Sequence, residues 1–350
     1  MEWIDKEKPV LVTGASGYIA SWIIKYLLEE GYTVHGTVRN INKKDTFSHL
    51  LDIAEKSSGN LKIFQADLMK KESFLESMQG VELVIHTASP FVVRGINNPK
   101  QELIEPALEG TRNVLNSANQ IPTVKRIVLT SSTAAIYGDN IEVKSFSNGI
   151  VTEEYWNTSS NIENNPYSYS KTLAEKEAWE ISKQQNRWDL VVINPCFVFG
   201  PSLTKRNDST SIQTLIQLGN GTFRFGVPEL WFGITDVRDV AKAHILAGTK
   251  KEASGRHILY SDSLPMLEIA NILHNRFGDK YLFPRNVVPY FLIWLLSPII
   301  GLNHKYVERN VEIPIKMDNS YTKKDLGLEP TPVEKTFVDH FEQLIKDKLV

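Results

Sequence analysis

The sequence predicts an α/β fold class, a doubly wound parallel sheet with a smaller, mostly helical C-terminal part. Short runs of Val, Ile and Leu alternate with amphipathic segments through the first 200 of the 350 residues, as strands and crossover helices do. The first of these runs, residues 10–12, breaks into a glycine-rich turn that opens a helix. A chain of this length can bury one large core or two unequal ones, and we expect the latter. Together these observations indicate a Rossmann-type fold.

The turn after the first strand has the composition of a phosphate cradle. Gly14 lets the chain turn sharply, Gly17 leaves room for a pyrophosphate beside the backbone, and Ala20 lets the helix pack closely on the sheet. The N-terminus of that helix would present N–H groups and a positive dipole end to the anion. Glycines after a strand can also be a plain turn. The strand before them and the amphipathic helix after them, which ends at Gly31, favour dinucleotide binding.

The end of the second strand selects the cofactor. Residues 33–38 form a β-branched strand that runs into Arg39, with Lys43 beyond it. An acidic residue at this place suits the ribose 2′-hydroxyl of NAD, whereas a basic residue suits the 2′-phosphate of NADP. The two cations therefore favour NADPH, to which Ser16 would add a hydrogen bond. The alternative is that they are solvated loop residues.

The third and fourth strands lead to the same edge of the sheet. A polar helix over residues 43–56 precedes the third strand, residues 61–66, and Asp67 then caps the next helix or meets the adenine ring. The fourth strand, residues 83–86, ends in His86, which we interpret as structural rather than as a base. Small residues follow at the edge where open parallel sheets bind ligands. They are Thr87, Ala88, Ser89 and Pro90.

A tyrosine and a lysine further on are spaced for acid–base chemistry. A long helix over residues 100–119 leads to a fifth strand, residues 126–130, with hydroxyl-bearing residues 131–133 at its end. Tyr167 and Lys171 are four residues apart, which places both on one face of a helix. A phenol titrates near a pKa of ~10, and a nearby ammonium would lower that pKa and make proton exchange feasible. This spacing also occurs in ordinary helices, but its context favours a catalytic pair.

These motifs resemble the extended short-chain dehydrogenases/reductases, most of all the branch of dihydroflavonol, cinnamoyl-CoA and fungal methylglyoxal or carbonyl reductases. The segments that carry the resemblance are residues 13–20, 37–39, 86–90, 129–132, 167–171, 194–201 and 234–241. The resemblance implies that Ser132 orients a carbonyl, Tyr167 donates the proton, and Lys171 binds the nicotinamide ribose while lowering the tyrosine pKa. Thr133 is the alternative to Ser132.

The resemblance also implies which residues contact the dinucleotide. They are Thr13, Gly14, Ser16, Gly17, Tyr18, Ile19, Arg39, Lys43, Asp67, Leu68, Thr87, Ala88, Ser89, Thr130, Tyr167, Lys171, Pro195 and Val198. Residues 195–198 would lie along the nicotinamide carboxamide, with Cys196 incidental to the chemistry. No metal is expected.

Two departures from the family pattern bear on the substrate. Tyr137 stands where flavonoid-reducing members tend to carry an asparagine, which disfavours a dihydroflavonol. Residues 165–171 read N-P-Y-S-Y-S-K, whereas cinnamoyl-CoA reductases read N-W-Y-C-Y-G-K. A thioester is therefore not favoured over a simple aldehyde or ketone.

Composition limits which kinds of partner and which compartment we expect. A net charge of −2 gives no electrostatic reason to expect nucleic acid or an anionic membrane. The single cysteine rules out an intrachain disulfide and fits a reduced compartment. The N-terminus lacks the pattern of a signal peptide. We therefore expect a cytoplasmic protein, either a monomer or a homodimer.

The most apolar stretch, residues 287–302, is short for a membrane span and contains two prolines. We interpret it as a helix of the substrate-binding part, without an integral membrane segment. The alternative is a peripheral membrane contact through Tyr290, Phe291 and Trp294.

We expect residues 1–200, with 235–260 returning to them, to bind NADP, and residues 201–234 and 261–350 to bind the substrate. Residues 237–249 look helical and residues 257–260 look extended in the segment that returns to the first part, and residues 265–277 and 333–349 look helical in the second part. Aromatic residues there either wall an apolar pocket or form its core. They are Phe223, Phe225, Trp231 and Phe232.

The sequence thus predicts an NADPH-dependent reductase that converts small aldehydes or ketones into alcohols. One alternative within the fold is a hydroxysteroid dehydrogenase/isomerase or a sugar-nucleotide epimerase or dehydratase. The alternative from another class is a redox sensor that binds NADP without catalysis, which would not need the tyrosine and lysine.

Overall fold

The computed structural model describes residues 3–89, 98–206, 208–299 and 301–350, so Pro90 lies outside the described residues. Ten strands lie within these ranges. They are β1 (Val10–Thr13), β2 (Thr33–Val38), β3 (Asn60–Gln65), β4 (Leu83–His86), β5 (Arg126–Thr130), β6 (Asp189–Pro195), β7 (Phe197–Phe199), β8 (Trp231–Asp236), β9 (Gly255–Leu259) and β10 (Asp262–Pro265). Seven of them form a parallel sheet in the order β3-β2-β1-β4-β5-β6-β9.

The strand order reverses between β1 and β4, which are neighbours in the sheet although β2 and β3 separate them in sequence. At such a switch point the loops leave the sheet in opposite directions and open a crevice outside the carboxyl ends of the strands. Gly14 follows β1 there, and Thr87 follows β4. The predicted phosphate cradle and the predicted small residues therefore meet at this crevice.

Eleven α-helices connect or cover the strands in the described ranges. They are α1 (Tyr18–Glu29), α2 (Ser48–Glu55), α3 (Glu105–Ala118), α4 (Pro166–Lys183), α5 (Thr210–Gly219), α6 (Val237–Thr249), α7 (Met266–Phe277), α8 (Tyr290–Leu296), α9 (His304–Asn310), α10 (Ser320–Leu326) and α11 (Val333–Lys346).

Helices cover both faces of the parallel sheet. Alternate residues of a strand point to opposite faces: Val10 and Val12 pack in one apolar cluster with α1, α2 and α6, whereas Leu11 packs in another with α3 and α4. Both clusters are almost fully buried. The predicted doubly wound sheet is confirmed.

A third apolar cluster lies outside this sheet. It joins α5, α7 and α11, and Phe337 and Phe341 of α11 are fully buried in it. The cluster packs against a small sheet in which β8 pairs with β7 in parallel and with β10 antiparallel. The C-terminal segments thus have an apolar core of their own.

The polar helix predicted over residues 43–56 is broken. A 3-10 turn covers Lys44–Thr46, and α2 begins only at Ser48. Phe47 stands between them with a non-helical backbone, and its side chain is only 2% exposed in the cluster beneath α1. Burial of this aromatic side chain interrupts the helix. The helix predicted over residues 100–119 is present as a π-helical turn, Lys100–Ile104, that continues as α3.

The apolar stretch at residues 287–302 contains a single short helix, α8, rather than one helix throughout. Phe291 is 65% exposed and Trp294 38% exposed, while Ile293 is buried against α9. Across the described ranges, no helix combines the length and the apolar character that crossing a membrane requires.

Candidate active site

The glycine loop after β1 is shaped for close approach of an anion. Gly14 has a φ of +68°, a conformation that side chains disfavour, and a Cβ there would lie 3.1 Å from the Cα of Ala88. Gly17 is the N-cap of α1, no side chain caps the helix, and its first turn holds no acidic residue. The N–H groups and positive dipole end of α1 therefore have no competing anion on the helix itself, which fits a dinucleotide pyrophosphate.

Hydrogen bonds of a side chain join the carboxyl ends of β1 and β4. Thr13 Oγ1 lies 2.8 Å from His86 Nδ1 and accepts hydrogen bonds from the N–H groups of Thr87 and Ala88 at 3.1 and 3.0 Å. The side chain of Thr13 is thus committed to the protein itself. His86 is 2% exposed, and burial lowers its pKa to about 3, so its ring is neutral.

The predicted adenosine end of the site lies beyond β2 and β3. Arg39 and Lys43 are exposed, and Ser16 is half-buried in the glycine loop. No helix follows Asp67, contrary to one of the two roles predicted for it. Its Oδ1 accepts from the N–H of Met69 at 3.0 Å, because a turn rather than a helix leaves β3.

The predicted catalytic residues come together at the carboxyl end of β5. Asn165 caps α4 by accepting from the N–H of Ser168 at 3.4 Å, and Pro166 is the first helical residue, which places Tyr167 in the first turn. Ser132, which directly follows β5, lies near enough to Tyr167 to lower the pKa of its phenol. Lys171, one turn further on, donates from Nζ to Ser89 Oγ at 3.1 Å. The alternative hydroxyl, on Thr133, belongs to a buried side chain.

The protonation states at this site differ from the prediction. Burial raises the pKa of Tyr167 to about 12, although the hydrogen bond from Ser132 counteracts this. Burial lowers the pKa of Lys171 to about 8, and the carboxylate of Glu175 counteracts this. The sequence predicts that Lys171 lowers the pKa of Tyr167. Desolvation outweighs any such effect here, because it favours the neutral form of both groups.

Other predicted cofactor residues make contacts within the protein. The phenol of Tyr18 donates to the carbonyl of Gly200 across the crevice. Thr130 Oγ1 lies 2.6 Å from Nε2 of His244 on α6. Pro195 is the last residue of β6, and Val198 lies in β7. Ile19 and Leu68 are partly buried against the apolar clusters of the two sheet faces.

The four aromatic residues of the C-terminal segments do not share one role. Phe223 and Phe232 pack against the third apolar cluster. Trp231 packs with Tyr137 against a separate small cluster, whereas Phe225 is 81% exposed. Phe225 thus belongs to no core, and the structure does not unite the four residues in one pocket wall.

Three buried polar residues behind the site are not among those that the sequence predicts: Glu175, Asn194 and Arg256. Glu175 accepts from Arg256 Nε at 2.5 Å and from Asn194 Nδ2 at 2.8 Å. A carboxylate one turn beyond Lys171 was visible as the pattern Y-x-x-x-K-x-x-x-E. Asn194 was visible as a polar residue within an apolar strand. Nothing in the sequence around Arg256 indicates its partner.

A dinucleotide crevice beside a serine, a tyrosine and a lysine defines the class: an oxidoreductase of the short-chain dehydrogenase/reductase type. The chain belongs to the NAD dependent epimerase/dehydratase family, whose model matches residues 10–260. Cinnamoyl-CoA reductase CAD2 of Medicago truncatula is 39% identical over 342 residues, which cover 97% of this chain and 96% of that protein.

Solved reductases share the whole fold. Gre2 of Candida albicans, solved in complex with NADPH, is 30% identical, has a TM-score of 0.79 and covers 97% of this chain and 99% of its own. Yeast methylglyoxal/isovaleraldehyde reductase Gre2, also complexed with NADPH, is 28% identical with a TM-score of 0.77 over the same shares. The predicted family, fold and enzyme class are confirmed.

Proposed function

We propose that this chain is an NADPH-dependent reductase of small aldehydes or ketones, with Ser132, Tyr167 and Lys171 as its catalytic residues. The observation that carries the proposal is that Ser132, Tyr167 and Lys171 meet at the carboxyl end of β5, where Lys171 bonds Ser89 at the end of β4, beside the glycine loop. Relatives named as carbonyl-reducing enzymes, two of them solved with NADPH, support the same assignment.

The residues present suit protonation of a developing alkoxide. Bound NADPH supplies the hydride. A phenol with a pKa of about 12 keeps its proton at neutral pH, so Tyr167 is in the form that can donate it. An alkoxide is a much stronger base than a phenolate, so the proton moves from Tyr167 to the alkoxide. The Ser132 hydroxyl would hold the carbonyl oxygen as charge develops, which is where a positioned donor has its largest effect.

The cofactor assignment extends to the residues that would hold it. Gly14 and Gly17 would seat the pyrophosphate, and Arg39 and Lys43 would bind the 2′-phosphate of NADP. The exposed cations after β2 support this, because an enzyme built for NAD usually has an acidic residue there. The same feature disfavours an NAD-retaining epimerase.

The division of the chain, its compartment and its assembly belong to the same proposal. We assign residues 1–200 and 235–260 to the cofactor and residues 201–234 and 261–350 to the substrate, supported by the separate apolar cluster of the C-terminal helices. We place the enzyme in the cytoplasm, as a monomer or homodimer.

The proposal is tested by following NADPH and, separately, NADH by absorbance with purified protein. The panel contains small aldehydes, diketones, ketosteroids and dihydroflavonols, so that it also separates substrate classes. Oxidation of NADPH by small carbonyls supports the proposal. Binding of a cofactor without any turnover would instead indicate an epimerase with retained cofactor or a sensor.

Removal of the cation after β2 should change cofactor preference. Because Arg39 would form a charge-assisted contact with the 2′-phosphate, we expect Arg39→Ala to lower kcat/KM for NADPH by ~10-fold and to leave kcat/KM for NADH almost unchanged. Lys56→Ala removes another exposed cation after α2 and is the matched control. An equal loss with both cofactors would mean that Arg39 does not recognise the 2′-phosphate.

A further inference from the structure

We propose that Glu175 is a positioning residue of this site: its buried carboxylate holds Lys171 in the ammonium form and fixes the backbone that carries Ser132. The inference deepens the proposed function and rests on it for the roles of Lys171 and Ser132. Glu175 itself would touch neither substrate nor cofactor, since it acts through these neighbours.

Glu175 lies on α4 one turn after Lys171 and is only 1% exposed. The two residues line the same open pocket, together with Ser89, Thr111 and Ser131. A buried carboxylate is costly to keep ionised unless cations and hydrogen-bond donors surround it. Its surroundings therefore decide whether it can act as an anion.

The carboxylate of Glu175 has donors on both oxygens. Oε1 accepts from Arg256 Nε at 2.5 Å, and Oε2 accepts from Ser131 Oγ at 2.5 Å and from Asn194 Nδ2 at 2.8 Å. Three donors, one of them a guanidinium that forms a buried ion pair, stabilise the charged form of Glu175.

The same network reaches the backbone of the proposed catalytic serine. Asn194 Nδ2, which donates to Glu175, also donates to the carbonyl oxygen of Ser132 at 3.1 Å. Ser131, the preceding residue, is bound to the carboxylate through its hydroxyl. Glu175 thus restrains the chain immediately before Ser132 directly and Ser132 itself through Asn194.

Among the described residues, Glu175 is the anionic neighbour of Lys171, because the other groups that face the lysine are neutral. From β4, His86 is neutral because burial lowers its pKa to about 3, and Ser89 contributes a hydroxyl. From α4, Tyr167 is protonated because its pKa is raised to about 12. The lining residues of α3 and β5 that face the cavity are uncharged, and Glu175 is the group that raises the pKa of Lys171 against the effect of burial.

Arg256 is held by other groups as well as by Glu175. Its Nη1 donates to the carbonyl oxygens of Glu153 and Tyr155 at 2.8 and 2.6 Å, and its guanidinium lies 3.9 Å from the ring centroid of Trp156. The pKa of Lys171 responds to burial and to Glu175, so removal of this carboxylate would leave the effect of burial unopposed.

The test measures the titration of Lys171 directly. The full chain is labelled with ¹³C at lysine Cε, and the Lys171 resonance is assigned by its loss in Lys171→Arg. In Glu175→Gln we expect the titration midpoint of Lys171 to fall by ~1 pH unit. Glu177→Gln is the control, because it removes a different carboxylate of α4, one that is paired with Arg112 of α3. In this variant we expect no change in the Lys171 midpoint. Equal midpoints in wild type and Glu175→Gln would overturn the proposal.

Activity gives a second readout, the basic limb of kcat/KM for the carbonyl at saturating NADPH. This limb should move to lower pH in Glu175→Gln, and Glu175→Asp should restore its position while kcat stays reduced. The shorter Asp keeps the charge but not the reach to Ser131 and Asn194. A basic limb that does not move would contradict the proposal.

If Glu175→Gln does not fold, Glu175→Gln combined with Arg256→Met removes both partners of the buried ion pair, which is better tolerated than removing one. The Lys171 midpoint should still fall in this double variant. Failure of the wild type to reduce any carbonyl would refute the proposed function, whereas the midpoints still decide whether Glu175 controls Lys171.

Discussion

Tyr167→Phe is expected to lower kcat for carbonyl reduction by ~10²–10⁴-fold, the range that a positioned general acid contributes. The change removes one hydroxyl from the first turn of α4 and leaves the ring, the helix cap and the glycine loop in place. NADPH binding, measured by fluorescence titration, should therefore stay close to wild type. The loss belongs in kcat because the proton is transferred only as the alkoxide forms.

Tyr169→Phe provides the matched control. Tyr169 lies two residues further along α4, and the same hydroxyl is removed outside the proposed catalytic set. Its turnover should equal that of the wild type. If Tyr167→Phe retained its turnover, Tyr167 would not be the proton donor, and Ser132 would have to be tested as the donor instead.

The raised pKa of Tyr167 favours carbonyl reduction over alcohol oxidation at neutral pH. A phenol with a pKa of about 12 is almost fully protonated at neutral pH, so its proton is present but the phenolate that would act as a base is scarce. Reduction needs the donor, whereas oxidation of an alcohol needs the base. The ligand-free protein is therefore in the protonation state that reduction requires.

Local patterns in the sequence were sufficient to predict the sheet and to select the residues that we propose as the catalytic set. The turn at Gly14 lies between a strand and a helix, and the pair Tyr167 and Lys171 lies within one helix. Such features depend on residues close together in the chain, so spacing and side-chain type identify them. The strand order then brings them to one edge of the sheet, as the doubly wound topology requires.

Contacts between distant segments were not predictable in the same way. Glu175, Asn194 and Arg256 come from α4, β6 and β9, and they meet only because β9 lies beside β6 in the sheet. The broken helix at Phe47 likewise follows from burial in a core that distant segments form. The direction of the Tyr167 pKa shift depends on the balance between desolvation and charge, which a sequence pattern does not contain.

The predicted role of Thr13 illustrates a further limit. Its position before the glycine loop matches the family motif, which made it a candidate for cofactor contact. Its hydroxyl instead bonds His86 and the N–H groups of Thr87 and Ala88. With three hydrogen bonds to the end of β4, Thr13 shapes the crevice. A sequence motif alone does not distinguish this role from contact with the cofactor.

Lys171→Met should impair both chemistry and cofactor binding, unlike Tyr167→Phe. We expect kcat/KM to fall by ~10²–10⁴-fold and the Kd for NADPH to rise, because the ammonium would both bind the nicotinamide ribose and stabilise charge beside Tyr167. Methionine keeps the length and the helical preference of the side chain while it removes the charge. The two losses are separated by measuring kcat at saturating NADPH and Kd by titration.

The pH profile gives the sharper result for the same variant. Burial lowers the pKa of Lys171 to about 8, so the ammonium form predominates below that pH and is lost as the pH rises through it. The wild-type kcat/KM for reduction should therefore decrease as the pH rises through the pKa of Lys171, which gives the profile a basic limb. Lys171→Met should lack that limb because its side chain has no proton to lose. Lys183→Met, which removes an exposed lysine from the last turn of α4, should keep the limb. Persistence of the limb in Lys171→Met would assign it to a different group, and the ammonium of Lys171 would then have no part in setting the rate.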